Sequence, residues 1–394
     1  MKNNIPAIRF PEFTLGWKST TLNKVTNIIG GGTPDTKEPT YWDGEIDWYS
    51  PSEIGKKIYA DGSVRKITQL GLEKSSAKIL PANKTILFTS RAGIGDTAIL
   101  KKDGATNQGF QSLVVHDNCD VYFLYSMNNK IKSYALKNAS GSTFLEISGK
   151  NLGVMPMLIP SPEEQTKIGT FFKSLDDTIS LHQQELEALN QTKQGFLQKM
   201  FPRAGESIPE FRFPGFKKEW TNYKIADISK VTMGQSPSGK NYTSNPNDHI
   251  LVQGNADIKK GYVHPRVWTT QVTKTANPGD IILCVRAPVG DVAKTSHEVV
   301  LGRGVASLEG DEFLYHLLYK MKSEGYWTRF STGSTFESIN STDIKDAVVM
   351  IPSKDEQLKI GEFFRQLDEV MELKEKEIEA LKETKKGFLQ KMFV

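Results

Sequence analysis

"TKQGFLQKMF" at residues 192–201 returns as "TKKGFLQKMF" at residues 384–393, with Gln194 replaced by Lys386. Working outward, residues 159–201 align with 351–393 at an offset of 192, and 26 of these 43 positions are identical. The copy continues upstream in weaker form: "SGSTFLEI" (140–147) answers "TGSTFESI" (332–339), and "SRAGIGDTA" (90–98) answers "VRAPVGDVA" (285–293). Near each copy's start "RFPEF" (9–13), Trp17 and "GGGTP" answer "RFPGF" (212–216), Trp220 and "MGQSP" at an offset of 203. A period of this size means two duplicated domains; solenoid repeats run about 20–50 residues.

Each copy holds two kinds of text. The first part is rich in Gly, Pro, Ser and Thr, with short apolar runs such as "TILFTS" (85–90) and "DIILCV" (280–285) that predict strands between turns. After "IPSPEEQ" and "IPSKDEQ" the text becomes helical, with Pro or Ser before two acids and then no Pro for about 38 residues. Apolar residues recur in steps of four and three at Ile168, Phe172, Leu175, Ile179, Leu186 and Leu189, and at Ile360, Phe364, Leu367, Met371, Ile378 and Leu381. So narrow a stripe suits one partner helix, and the other copy supplies it; a pseudo-two-fold makes the pair antiparallel. The expected fold is α+β: two pseudo-symmetric globular domains (1–160 and 203–352) separated by a coiled-coil pair of long helices (161–202 and 353–394). His182, Lys374, Lys193 and Lys385 interrupt the stripe; side chains snorkelling to water explain them better than a register device. If each helix ends beside the domain that follows it in the cycle, the second should end near the first "RFPEF", with the termini within about 30 Å.

Composition narrows the function. With 394 residues, 38% hydrophobic and 24% charged, the chain is ordinary for soluble globular proteins. No stretch has signal-peptide or membrane-span character, so a cytoplasmic protein without membrane contact is expected. Cys119 and Cys284 have no metal-ligand neighbours and read as buried thiols, so no metal is expected. "GQSPSGKN" (234–241) resembles a P-loop but has Asn241 where magnesium needs Ser or Thr; "GIGDTA" (93–98) reads as a tight turn. Neither copy carries a recognisable catalytic motif, which points to a binder with no cofactor of its own. The net charge is only +4, with the excess of cations on the globular parts. Abundant Arg, Gln, Asn, Ser and Thr in loops suits DNA phosphates and base edges. A non-catalytic scaffold whose helices organise protein partners is the alternative.

"IPSPEEQTKIGTFFKSLDD…GFLQKMF" and "IPSKDEQLKIGEFFRQLDE…GFLQKMF", each after text of the "TLNKVTNIIGGGTP" or "KIADISKVTMGQSP" kind, resemble the specificity subunits of Type I restriction-modification systems. The resemblance implies two target recognition domains, each reading half of a split site on double-stranded DNA. It also implies docking of two methyltransferase subunits, with restriction subunits joining through the complex and catalysis on those partners. Arg91 and Arg286, equivalent in the two copies and each just after a predicted strand, are the favoured direct base readers, since arginine can bond guanine bidentately; an arginine holding the turn or a phosphate is the alternative. Gln108, Gln111, Gln253, Asn255 and Arg303 lie in polar loop text and are candidates to read adenine or guanine edges. Ser142, Thr143, Ser334 and Thr335, shared in the two "GST" stretches, suit phosphate positioning or a structural turn.

Overall fold

The structure, a computed structural model, describes residues 4–141, 145–203, 205–330 and 338–394. The chain divides into two compact units, residues 1–183 with 377–394, and residues 184–376. In the first, a five-stranded sheet runs in the order Thr26–Gly30, Gln111–Val115, Thr85–Phe88, Thr97–Leu100, Tyr59–Ala60. A three-stranded sheet has Trp42–Tyr49 between Arg65–Ile67 and Gly104–Thr106. The second unit repeats the plan with a six-stranded sheet built around Val305–Leu308, Ile281–Cys284 and Val292–Lys294, and a five-stranded sheet around His249–Val252 and Val299–Leu301. The runs "TILF" and "IILC" are strands with every residue buried, as continuous apolar text between turns requires when both faces are covered.

Each copy then enters one helix of 38 residues, Pro162–Lys199 or Lys354–Lys391. Acids occupy the first turn and a lysine the last, matching the helix dipole at both ends. The second acid of each is buried: Glu164 is 1% exposed and Glu356 0%. Arg9 grips Glu164 with Nε and Nη2, both at 2.7 Å. Arg212 grips Glu356 in the same way, at 2.6 and 2.7 Å. The arginine of each "RFP" stretch is thus a bidentate clamp on the start of the helix that closes its own copy.

Within each unit the two helix segments run antiparallel. In the first, Phe171 meets Phe388, Asp176 meets Lys385 and His182 meets Glu377, one helix ascending as the other descends. In the second, Phe196 meets Phe363, Lys193 meets Asp368 and Glu185 meets Lys374. The apolar stripe does more than face a partner helix, because its ends are core residues of the globular parts. Ile168 and Phe172 lie in one core with Trp17, Phe123 and Phe393; Ile360 and Phe364 lie in the other with Trp220, Phe313 and Phe201. Ile179 and Ile378 are buried, while Leu175, Leu186, Leu189, Leu367, Met371 and Leu381 are half-buried.

The interrupting lysines do not snorkel. Lys193 is 7% exposed, its Nζ 2.5 Å from Asp368, and Lys385 reaches both oxygens of the buried Asp176 at 2.6 and 2.7 Å. The stripe is interrupted because each copy builds a partly buried ion pair there, and the carboxylate that draws the lysine inward lies on the other helix. Lys374 and His182 face Glu185 and Glu377.

The duplicated decapeptide has one packing role performed twice. Phe393 sits among Trp17, Phe123 and Phe172 at ring separations of 6.1, 5.5 and 5.8 Å. Phe201 sits among Trp220, Phe313 and Phe364 at 5.8, 5.4 and 6.2 Å. Beside each cluster the entering segment is tied to the arriving helix, Phe211 N–H to the Lys199 carbonyl at 2.8 Å and Ile8 N–H to the Lys391 carbonyl at 3.0 Å. The path is therefore nearly circular, and the expected neighbourhood of "RFPEF" and the second helix's end is present as a hydrogen bond.

Arg212→Met leaves a fully buried carboxylate unpaired and should cost about 3–5 kcal/mol in denaturant unfolding. The exposed Lys199–Glu210 pair, broken for comparison by Lys199→Met, should cost about 0–1 kcal/mol. A permutant opened at Gly205, with residues 394 and 1 joined by a linker of about ten residues, should melt cooperatively near the parent's temperature. His316 gives a pH dependence. Its ring is fully buried 4.9 Å from the Phe364 ring, facing Asp368 at 3.6 Å and Glu312 at 3.8 Å. Burial first, then Lys193 and Lys294, hold its pKa well below the usual histidine value. The unfolded chain then binds the extra proton below about pH 6.5, so stability falls as pH drops, by up to about 1.4 kcal/mol per unit. His316→Leu should remove that component of the acid slope, read by urea unfolding at pH 7.5 and 5.5.

Candidate nucleic-acid interface

Four chain segments meet where strands of the second unit end: residues 234–236, 253–255, 285–287 and 302–304. Backbone hydrogen bonds join them: Gly302 N–H to the Val252 carbonyl at 2.7 Å, Gln235 N–H to Leu301 at 2.8 Å and Val285 N–H to Gly304 at 2.9 Å. The Ser236 hydroxyl accepts from Arg303 N–H at 3.0 Å, and Asp257 accepts from Gln253 N–H at 2.8 Å. Gly304 is obligatory, since a β-carbon there would lie 1.9 Å from the Gln253 carbonyl oxygen. The result is a cleft of about 490 Å³ lined by Ser236, Gln253, Asn255, Arg286, Arg303 and neighbouring backbone.

All four candidate contacts of this copy that lie in described segments, Gln253, Asn255, Arg286 and Arg303, thus converge on one cleft although they span 51 positions of sequence. Arg286 and Arg303 are exposed, so their guanidinium groups present donors to an incoming acceptor. Asn255 is partly committed: its amide donates to Asp291, a 9% exposed carboxylate that also pairs with Lys322. Ser236 and the backbone of Gly254 and Ala287 were not legible as site residues. Ser236 lies within the P-loop-like text, and its hydroxyl serves the Arg303 backbone.

In the first unit the same joints recur. Asn107 N–H donates to the Tyr49 carbonyl at 3.0 Å, Gly32 N–H to Thr106 at 2.9 Å and Ser90 N–H to Gly109 at 2.7 Å. Arg91 and Gln108 are brought to this junction, where the Thr33 hydroxyl donates to the Gln108 side-chain oxygen. Gln111 departs from the loop reading: it is a half-buried strand residue paired with Gly30. "GIGDTA" is a tight turn, with Ala92, Gly93 and Gly95 at positive φ between two paired strands. Ser142, Thr143, Ser334 and Thr335 lie outside the described residues.

The rest of the chemistry is quiet. Burial pushes the thiols of Cys119 and Cys284 up to about 12, so both stay protonated near neutrality. Among the described residues no group of three or more His, Cys, Asp or Glu could hold a metal ion. No described helix is long and apolar enough to cross a membrane.

The chain is 29% identical over 406 residues to the Type I restriction enzyme MjaIX specificity subunit of Methanocaldococcus jannaschii, covering 95% of this chain and 92% of that one. It is 30% identical over 176 residues to the EcoR124I/EcoR124II specificity subunit of Escherichia coli, 43% of each chain. A solved Type-I restriction-modification system S subunit from M. genitalium shares the fold at a TM-score of 0.63 and 15% identity, with 99% of each chain covered. A structure describing complex assembly and conformational transition of the type I R-M system matches at 0.61 and 22% identity, covering 97% of this chain and 98% of that one. The family model for the Type I restriction modification DNA specificity domain matches twice, at residues 14–191 and 217–383, once for each half of the duplication, and the chain belongs to that family.

Proposed function

We propose that this chain is the sequence-reading subunit of a Type I restriction-modification complex: it binds double-stranded DNA at a bipartite site and directs methyltransferase and restriction subunits to it. Residues 1–160 and 203–352 act as the two target recognition domains, and 161–202 and 353–394 as the helices that join them. The observation that carries the reading is the cleft of the second unit, where Gln253, Asn255, Arg286 and Arg303 converge on a glycine-gated strand junction whose backbone joints recur in the first unit. Guanidinium and amide groups are the side chains that bond bidentately to guanine and adenine edges in the major groove, and arginine also neutralises phosphates. Methyl transfer and DNA cleavage belong to the partner subunits.

Modularity is the direct test. Residues 212–350 should be replaceable by the equivalent region of a family relative, and sequencing of methylated DNA from cells carrying the complex should show one half of the recognised site changed and the other retained. A change in both halves, or in neither, would count against the reading.

A further inference from the structure

The junction of the first unit can be matched to the cleft of the second, residue by residue, from the backbone joints alone. Asn107 on Tyr49 answers Gly302 on Val252, Gly32 on Thr106 answers Gln235 on Leu301, and Ser90 on Gly109 answers Val285 on Gly304. The parallel strand pairing agrees, Tyr49 opposite Thr106 and Val252 opposite Leu301. A fourth joint, Ile147 N–H to Ser90 and Ile339 N–H to Val285, closes both frames on the same side. These equivalences set Thr33 against Ser236, Ser50 against Gln253, Ser52 against Asn255, Arg91 against Arg286 and Gln108 against Arg303.

The positions divide into two kinds. Arg91 and Arg286 are the same residue at the same joint, and Thr33 and Ser236 both place a hydroxyl against the neighbouring segment. Gln108 and Arg303, Ser50 and Gln253, and Ser52 and Asn255 differ in length, charge or hydrogen-bonding pattern. The rigid parts beneath the variable ones are conserved in kind: a carboxylate holds the backbone N–H of Ser50 (Glu53, 2.7 Å) and of Gln253 (Asp257, 2.8 Å). A group that is identical in two readers of different words suits the component that every half-site shares, the sugar-phosphate backbone. A group that differs on the same frame can carry the difference between the words.

Resting on the DNA-reading function above, we propose a division of labour within the clefts. Arg91 and Arg286 contact phosphate in both half-sites. Gln108 and Arg303 are the principal specificity-determining pair, Gln108 reading adenine in one half-site and Arg303 guanine in the other. Ser50 with Ser52, and Gln253 with Asn255, complete the two words. Ser50 and Ser52 thereby enter the interface although their text, "YSPSE", carried no sign of it; their hydroxyls lie 3.1 Å apart at the mouth of the junction.

The test uses the full chain assembled with its methyltransferase subunits and selection of methylated sites from a randomised duplex pool. Arg303→Gln should cut the preference for guanine at one position of one half-site by about 5- to 150-fold and leave the other half-site untouched. Gln108→Arg should change one position of the opposite half-site. Arg286→Ala should weaken binding to all selected sites alike, keep the word, and lower the slope of log affinity against log salt by about one. All three residues are exposed, and thermal melts matching the parent establish that the variants fold. An unchanged word with Arg303→Gln and Gln108→Arg, or loss of a single base preference with Arg286→Ala, would overturn the division of labour while leaving the chain a DNA reader. A parent complex that selects no sequence at all would instead remove the reading on which it rests.

Discussion

A carboxylate with no exposed surface, placed in the first turn of a long helix, must be paired or the fold loses several kcal/mol. Glu164 and Glu356 are such groups, and each is satisfied by an arginine about 150 positions earlier in sequence. That pairing draws the "RFP" segment of each copy onto the start of its own closing helix. Once there, the segment is in reach of the other helix's last turn, where Ile8 and Phe211 make their backbone bonds and Phe393 and Phe201 fill the aromatic clusters. Each core is thus completed by a residue from the opposite end of the repeat, and neither copy could close its cluster with its own decapeptide.

The same dependence explains what could be read from sequence and what could not. The duplication, the helices and their antiparallel course were legible because they rest on identity and on a four-three spacing that local chemistry enforces. Lys193 and Lys385 were misjudged because spacing reveals a polar residue on an apolar stripe but not the carboxylate facing it. Asp368 and Asp176 sit beside their stripe positions, and only the crossing of two helices brings them to the lysines. The reach of Phe172 and Phe364 into globular cores was likewise invisible to periodicity, since the stripe looks alike along its length while its surroundings change from helix to domain.

For the clefts, residue type was more informative than position. Arg286, Arg303, Gln253 and Asn255 could be singled out as polar groups near strand ends, and the sheet order brings those ends together. Gln111 was read as loop because the text just before it, Asn107, Gln108 and Gly109, is turn-like; it is a strand residue opposite Gly30. Ser50 and Ser52 could not be distinguished from any turn serine.

The frame of each junction is made almost wholly of main-chain hydrogen bonds and a pair of equivalent glycines, Gly31 and Gly234, where an added β-carbon would lie 2.0 Å from the Asn107 or Gly302 carbonyl oxygen. Backbone groups donate and accept whatever side chain they carry, so the frame imposes little on residue identity at the rim. Rim substitutions at exposed positions cost little stability, typically within about 0.5 kcal/mol. The architecture therefore separates the residues that keep the domain folded from those that face a ligand. Gln108 can stand where Arg303 stands, and Ser50 where Gln253 stands, without disturbing the sheets below. A duplicated chain built this way can diverge in what its two halves recognise while the helices, clamps and aromatic clusters stay nearly identical, which is the pattern of identity and divergence that runs along the sequence.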